Sequence, residues 1–313
     1  MTDTHASFIG VDIGGTQLRA ALYPETGIKP LQRAACPTHV PGGDPLARLI
    51  ALIASVWPAE GRVSKIGLGV AGPLNPATGV VYRCPNIPGW ECLPLASLIT
   101  DRFGAPALLG NDANLAALGE WKYGAGIGHH NLVYLTISTG VGGGVIIDDR
   151  LLTGGRGIAA EVGHITVDPS GPLCGCGHRG HLESFSSGTG ILNFVKDEIA
   201  SGRPSSLSRL TGELTGKAIA DAARAGDGLA GEAYHRAGTY LGRGIADFLH
   251  LYDPTIVVLG GGVTRAGDLL MKPVEVALRA SVMSPQYLDG LVLTTAKLGD
   301  EVGLIGALTL ARS

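Results

Sequence analysis

Leu108-Leu109-Gly110-Asn111-Asp112-Ala113-Asn114 carries an apolar run to a glycine and into a small polar cluster, and Leu115-Ala116-Ala117-Leu118-Gly119-Glu120-Trp121 follows. The pattern is a strand end, a polar elbow and a helix start. Asn111 or Asp112 suits the cap position, because a short polar side chain there accepts an amide hydrogen that the helix leaves unpaired. A carboxylate so placed stands at the carboxyl end of a strand, where open α/β sheets place their ligands. Asp112 is therefore a plain helix cap or a general base, and the rest of the chain decides between them.

Upstream, Phe8-Ile9-Gly10-Val11-Asp12-Ile13 is an apolar run broken by one acid. Gly14-Gly15-Thr16 follows, and Gln17 to Tyr23 resumes strand character, so a hairpin with a glycine turn is predicted. An acid inside such a run is costly unless it meets a cation or hydrogen-bond donors. Gly14 and Gly15 would let backbone amides face an anion, with the Thr16 hydroxyl beside them. The turn reads as a phosphate cradle with Asp12 holding magnesium through water, or as an ordinary hairpin with a hydrogen-bonded acid. The spacing and lysine of a Walker A loop are missing.

Between hairpin and elbow the pattern predicts a third strand near Leu31 to Pro37, a helix over Asp44 to Val56 and a buried strand from Lys65 to Ala71. The chain then turns at Gly72-Pro73. A short strand over Gly79 to Tyr82, a helix over Leu93 to Phe103 and a strand at Ala107 to Leu109 complete the segment. Pro85-Asn86-Ile87-Pro88-Gly89-Trp90 offers an amide, an apolar wall and an indole, which suits a sugar rim. A surface loop with a packed Trp is the alternative.

Downstream, Lys122 to Gly128 has the glycine content of a hinge, and a domain boundary is placed within 118 to 130. Asn131 to Ile137, Ser138-Thr139-Gly140-Val141-Gly142-Gly143-Gly144 and Val145-Ile146-Ile147 repeat the strand, glycine turn, strand motif. Two such turns suggest duplicated sheet domains facing each other across a cleft and sharing one polyphosphate. Helices are predicted from Gly188, over Lys217 to Ala225, over Glu232 to Leu251, over Met271 to Val282 and over Asp300 to Leu310. Strands are predicted at Thr255 to Leu259 and Leu291 to Thr295. Gly260-Gly261-Gly262 would admit a flat ligand such as adenine, though close helix–sheet packing needs the same residues.

The segment Gly155 to Ser187 holds Glu161-Val162-Gly163-His164 and then Cys174-Gly175-Cys176-Gly177-His178-Arg179-Gly180-His181-Leu182-Glu183. Cys-x-Cys in a reducing compartment fits a metal better than a disulfide. His164, Cys174, Cys176 and His181 would supply four tetrahedral zinc ligands, and four protein ligands make a structural site. His181 is favoured over His178 as the fourth. Two thiols in a glycine loop are the alternative. Glu161 and Glu183 would accept hydroxyl hydrogens from a polyol, or are solvated loop acids.

The 313 residues allow one large or two moderate domains, and 45% apolar content permits a full, mainly aliphatic core. The 49 glycines are more than twice average usage and cluster without a collagen-like period. A net charge of -3 without a basic stripe argues against nucleic acid as partner. No apolar run is long enough to span a membrane, and Met1 to His5 lacks a signal pattern, so a cytoplasmic protein with no membrane partner is expected.

Five motifs together, Asp12 to Thr16, Asn111 to Asn114, Ser138 to Gly144, Glu161 to His164 and Cys174 to Glu183, resemble the ROK family of bacterial repressors and sugar kinases, its glucokinases above all. The resemblance spans residues 8 to 311. It implies an α/β fold of two actin-like ATPase (ribonuclease H-like) domains with the active site in an interdomain cleft. The expected ranges are 1–120 plus 299–313 for a small N-terminal domain, and 121–298 for a larger one with the sugar and zinc loop.

The activity so implied is transfer of the terminal phosphoryl of ATP to the 6-hydroxyl of glucose, with Asp112 as general base. Gly72, Asn86, Asn111, Asp112, Glu161, His164 and Glu183 would meet the sugar. Asp12, Gly14, Gly15, Thr16, Thr139, Gly140, Gly142, Gly260, Gly261 and Gly262 would hold ATP, with magnesium at Asp12 and structural zinc on His164, Cys174, Cys176 and His181. Other family members imply a homodimer or homotetramer. A kinase for N-acetylglucosamine, N-acetylmannosamine, fructose or mannose is the alternative, and a noncatalytic sugar-responsive regulator a distant one. Regulators of the family carry a DNA-binding region before the first phosphate motif, whereas here seven residues precede Phe8. Two positions depart from the family pattern: His181 replaces the usual last cysteine, and Ala160 stands where glycine is common.

Overall fold

The computed structural model describes residues 6–313, so the reading of Met1 to His5 lies outside the described residues. β1 (Ala6–Ile13) and β2 (Gln17–Tyr23) form the expected hairpin, antiparallel with Asp12 opposite Arg19. β3 (Gln32–Pro37) pairs with β2. In α1 (Pro45–Ser55) the Asp44 carboxylate caps the helix from Leu46 N and Ala47 N, with proline at the first position where no amide is needed. β4 (Arg62–Val70) runs parallel to β1.

A small antiparallel sheet of β5 (Leu74–Asn75), β6 (Val80–Arg83) and β7 (Glu91–Leu93) follows. Then come α2 (Leu95–Phe103), β8 (Ala107–Asn111) and α3 (Asp112–Tyr123). The first large sheet has the order β3-β2-β1-β4-β8.

β9 (Leu132–Ile137), β10 (Val141–Ile147) and β11 (Arg150–Leu151) begin the second sheet. The helices α4 (Leu182–Ser186), α5 (Gly188–Ala200), α6 (Gly216–Arg224) and α7 (Gly228–Tyr252) precede β12 (Ile256–Gly260). α8 (Asp268–Ser281), β13 (Val292–Thr295) and α9 (Val302–Ala311) complete the chain. The order β11-β10-β9-β12-β13 repeats that of the first sheet strand for strand. In both, an antiparallel hairpin edge gives way to strands joined in parallel, which require helical crossovers. This is an α/β fold built twice.

α7 starts four residues before the expected Glu232, because the Asp227 carboxylate accepts Ala230 N and caps it there. α4 carries no sequence signal of its own, since five residues are too few to show a period.

The chain divides into two compact units. One contains the described residues up to Gly128 together with Gly144–Ala160 and Ala296–Ser313; the other contains His129–Gly143 and Glu161–Thr295. The division differs from the expected ranges in giving residues 121–128, 144–160 and 296–298 to the first unit. There, Ile9, Val11, Leu18, Ile66, Leu68 and Leu109 form a core with no exposure to speak of. α9 lies on β1 and β4 where those strands carry glycine: a Cβ on Gly10 would stand 2.7 Å from the Leu304 carbonyl, and one on Gly67 would strike that of Ala307. In the second unit Leu132, Val133, Leu135 and Ile256 to Leu259 of the sheet and Leu241, Ile245 and Phe248 of α7 are all buried. Among the described residues, no helix is long and apolar enough to cross a membrane.

Candidate active site

In the first unit three parallel strands end in one row. Ile13 pairs with Val70, and Val70 with Asn111. The turn after Ile13, the turn after Val70 and the elbow after Asn111 therefore leave the sheet at the same edge, neighbouring strands being about 4.8 Å apart. That edge collects Gly14 to Thr16, Gly72 and Asp112.

Asn111 is the cap of α3: its Oδ1 accepts Ala113 N at 3.0 Å and Asn114 N at 3.1 Å. Asp112 is thereby the first helical residue, and its Oδ1 accepts Ala113 N at 2.9 Å. A carboxylate here is favoured by the helix dipole. The Asn111 amide also donates to the Gly72 carbonyl at 3.4 Å. Gly72 has φ +104°, and a Cβ there would stand 2.5 Å from the Arg83 carbonyl and 2.7 Å from Pro85 Cδ. Only glycine suits that backbone.

Gly72 is thus packed beneath the turn that carries Asn86. That turn is closed by Cys84 N on Trp90 O at 3.0 Å and Ile87 N on Cys84 O at 3.1 Å, over a buried Trp90. Burial pushes the Cys84 thiol up, the Asn86 and Ile87 amides pull it back, and the charge of Asp112 pushes it further.

The hairpin turn reaches the same place. A Cβ on Gly15 would stand 2.5 Å from Asn86 Cβ. His39 Nε2 meets the Asn86 carbonyl at 2.9 Å, and the buried Thr38 braces the turn from behind through Gly14 O and Thr16 O. Asp12 finds the cation its burial requires in Arg19, whose Nε donates at 2.9 Å and whose terminal nitrogen also reaches Oδ2. Arg19 was legible in principle: counting back from a two-glycine turn puts it directly across the hairpin from Asp12. Thr38 and His39 carried no comparable signal.

In the second unit Thr136 pairs with Gly260, so the segments after β9 and β12 also leave one edge together. Gly188 N donates to Ser138 O at 2.7 Å and Thr189 Oγ1 to Thr139 O at 2.8 Å, seating the start of α5 on the second glycine turn. A cavity of about 680 Å³ opens beside it, lined by Thr139, Gly262, Lys217, Arg224, Tyr234 and Arg265 among others. The volume suits a small organic ligand or cofactor. Gly262 lines this cavity, whereas Gly260 and Gly261 are packing positions: a Cβ on Gly260 would stand 2.5 Å from the Tyr134 hydroxyl, and one on Gly261 would strike Ile137. The helix α6, which supplies Lys217 and Arg224, gave no functional signal in the sequence.

His164, Cys174, Cys176 and His181 come together in the same unit, their four ligand atoms within 4.8 Å of one another. Cys176 Sγ lies 3.2 Å from His181 Nδ1, which lies 3.4 Å from His164 Nδ1, which lies 3.7 Å from Cys174 Sγ. A tetrahedral zinc with bonds of about 2.0–2.3 Å sets ligand atoms about 3.3–3.8 Å apart. The residues fit that metal, and His181 rather than His178 completes the set. Burial holds the Cys174 thiol up at about 12, and burial with its histidine neighbours pulls His181 down.

Glu183 sits between this cluster and the glycine turn. Its Oε2 accepts Val141 N at 3.0 Å and its Oε1 lies 3.4 Å from Cys174 Sγ. The Glu161 carbonyl accepts His164 N at 3.0 Å and so begins the short 3₁₀ turn Val162–His164, while the residue itself is exposed. Ala160, just before it, has φ +66°.

Residues 8–313 match the model of the ROK family. The chain is similar to a glucokinase of Thermotoga maritima, 37% identical across 97% of this chain and 96% of that one. It is similar to an N-acetylmannosamine kinase of Salmonella typhi, 32% identical across 97% and 98%. Among solved structures it resembles a ROK family glucokinase from Streptomyces griseus in complex with glucose and AMPPNP, with TM-score 0.80 and 36% identity across 98% of this chain and 99% of that one.

Proposed function

The chain belongs to the ROK family, and on that premise we propose that it is a glucokinase, moving the terminal phosphoryl of ATP to the 6-hydroxyl of glucose. The observation that carries this reading is the row Ile13, Val70, Asn111, which gathers the hairpin turn, Gly72 and Asp112 at one sheet edge. The glucose and AMPPNP named for the Streptomyces griseus relative support the choice of both substrates.

In this reading Asp112 accepts the hydroxyl hydrogen as the new P–O bond forms. Asn111, Asn86 and the Gly72 backbone orient the sugar from the first unit, and Glu161, His164 and Glu183 are assigned to its other hydroxyls. Gly14 to Thr16 and Thr139 to Gly142 present amides and hydroxyls to the phosphates, where developing charge needs donors. The cavity at Gly262 takes the adenosine. Asp12, held by Arg19, is assigned to the magnesium that accompanies the nucleotide and neutralises its outer phosphates. Zinc on His164, Cys174, Cys176 and His181 would fix the loop that carries Glu183. An ATP-consuming step on free sugar places the protein in the cytoplasm.

An ATP-coupled assay over glucose, mannose, fructose, N-acetylglucosamine and N-acetylmannosamine tests the assignment. Glucose is expected to give the highest kcat/KM. A clear win for N-acetylmannosamine, the substrate in the name of the Salmonella typhi relative, overturns the sugar and leaves the kinase.

A further inference from the structure

Glu120 lies in the third turn of α3 and is wholly buried. No cation meets it. Its Oε2 accepts Ala125 N at 2.8 Å and Lys297 N at 3.1 Å, and its Oε1 accepts Leu298 N at 2.8 Å. Its backbone carbonyl takes Gly124 N at 3.0 Å and Gly126 N at 2.9 Å. A buried carboxylate survives only when donors replace its water, and three backbone amides do so here.

The three donors are informative by their place in the chain. Ala125 lies just before Gly128, where the chain first leaves the first unit, and Lys297 and Leu298 lie just after Ala296, where it returns for the last time. One carboxylate therefore holds the first exit and the last return, two of the four places where the chain passes between the units. The same helix carries Asp112 at its first position, about 12 Å away along the axis.

We propose that Glu120 is a positioning residue for phosphoryl transfer, tying the departing and returning chain to the helix that bears the general base. The proposal rests on the kinase reading above. With the tie intact, the segments at Ala125 and at Lys297–Leu298 are fixed relative to the helix that carries Asp112. With it broken, Asp112 keeps its local geometry while those two segments are free to shift against its helix. An ångström of misplacement in such a system is enough to lose about a hundredfold in rate.

Glu120→Gln is the direct test. The amide offers one acceptor oxygen and sets an NH₂ against an N–H on its other side, so at least one bond is lost. Hydrogen exchange at Ala125, Lys297 and Leu298 is expected to quicken at least about tenfold. The value of kcat/KM for sugar is expected to fall about 10–100-fold at a temperature where the variant is fully folded, with kcat and KM both changed.

Gly124→Ala supplies a second route. Its new Cβ would strike Oε2 and displace the carboxylate without removing it, and it must reproduce the kinetic loss. Kinetic constants unchanged in either folded variant overturn the positioning role, and unchanged exchange overturns the tie itself. A wild-type chain that phosphorylates none of the hexoses overturns the kinase reading instead, and the exchange experiment still decides the tie.

Discussion

Glu183 accepts the backbone N–H of Val141 at 3.0 Å and lies 3.4 Å from Cys174 Sγ through its other oxygen. One side chain thus joins the cysteine–histidine cluster to the second glycine turn. It also fills the space over Gly140, where a Cβ would strike it. The glycine at that turn is required by the acid, and the acid is held by the cluster.

Glu183→Gln should therefore act on the turn and leave the cluster in place. A hydrogen bond to a charged acceptor is worth about 1.5–3 kcal/mol, roughly ten- to hundredfold. We expect kcat/KM to fall by about that factor while one metal ion per chain is retained. Steady-state kinetics beside elemental analysis reads both, and an unchanged kcat/KM removes Glu183 from the site.

The cluster itself makes a prediction about metal. Protein purified without added zinc should carry about one zinc per chain. Stripping it with a strong chelator should lower kcat/KM by loosening Glu183. His181→Cys should hold zinc at least as tightly as the parent, because a thiolate is a competent tetrahedral ligand. His178→Ala should change nothing. Metal-free protein with full activity would end the structural-zinc assignment.

Much of this was legible in the sequence wherever the signal was local. The Asp12 to Thr16 hairpin, the elbow at Asn111 and the Cys174 to His181 loop announce themselves by residue type at short spacing. The same locality explains the misses. Asp112 looked as good a cap as Asn111, since the two carry similar side chains one residue apart and only backbone geometry separates them. The apolar period alone starts α7 at Glu232 because its first turn lacks a periodic apolar face, although Asp227 marks the start. Glu120 was invisible because two of its three donors lie 177 and 178 positions away. Gly260 and Gly261 show the converse: a glycine run at a strand end is consistent with ligand approach or tight packing, and only coordinates distinguish them.

Ala160 gives a stability prediction. Its φ of +66° lies in the left-handed region, where an L side chain costs about 1–2 kcal/mol. Ala160→Gly removes that cost and returns about 0.4–1 kcal/mol through the freer unfolded chain. The net should be a stabilisation of about 0–1.6 kcal/mol, seen as a rise of a few degrees in Tm. A lower Tm in the variant would show that the backbone there is relaxed with alanine.

Asp227 gives a pH prediction. Burial works against its charge, but Ala230 N, Ser206 and Ser205 donate to it and hold its carboxyl well below the usual carboxylate range. The folded value is depressed, so its stabilisation is present above the unfolded value of about 3.9 and is lost as pH falls toward the folded one. Asp227→Asn should cost about 1 kcal/mol at neutral pH: an asparagine oxygen still caps α7 at Ala230 N, but the charged Oδ2 that Ser205 and Ser206 donate to is lost. The gap between variant and parent should narrow below about pH 4. Urea denaturation across pH 3–7 measures it, and a gap that widens in acid reverses the assignment.

Asp112→Asn carries the most weight. The substitution keeps the size of the side chain and an acceptor oxygen for Ala113 N, so the start of α3 and the Asn111 cap should survive. What it removes is the basicity needed to take the hydroxyl hydrogen. General-base catalysis contributes about 10²–10⁴-fold, and kcat should fall within that range. The dissociation constant for sugar, measured by calorimetry without nucleotide, should change less than about threefold. A variant with near-parental turnover would refute Asp112 as the base, and one that lost sugar affinity together with turnover would make it a binding residue.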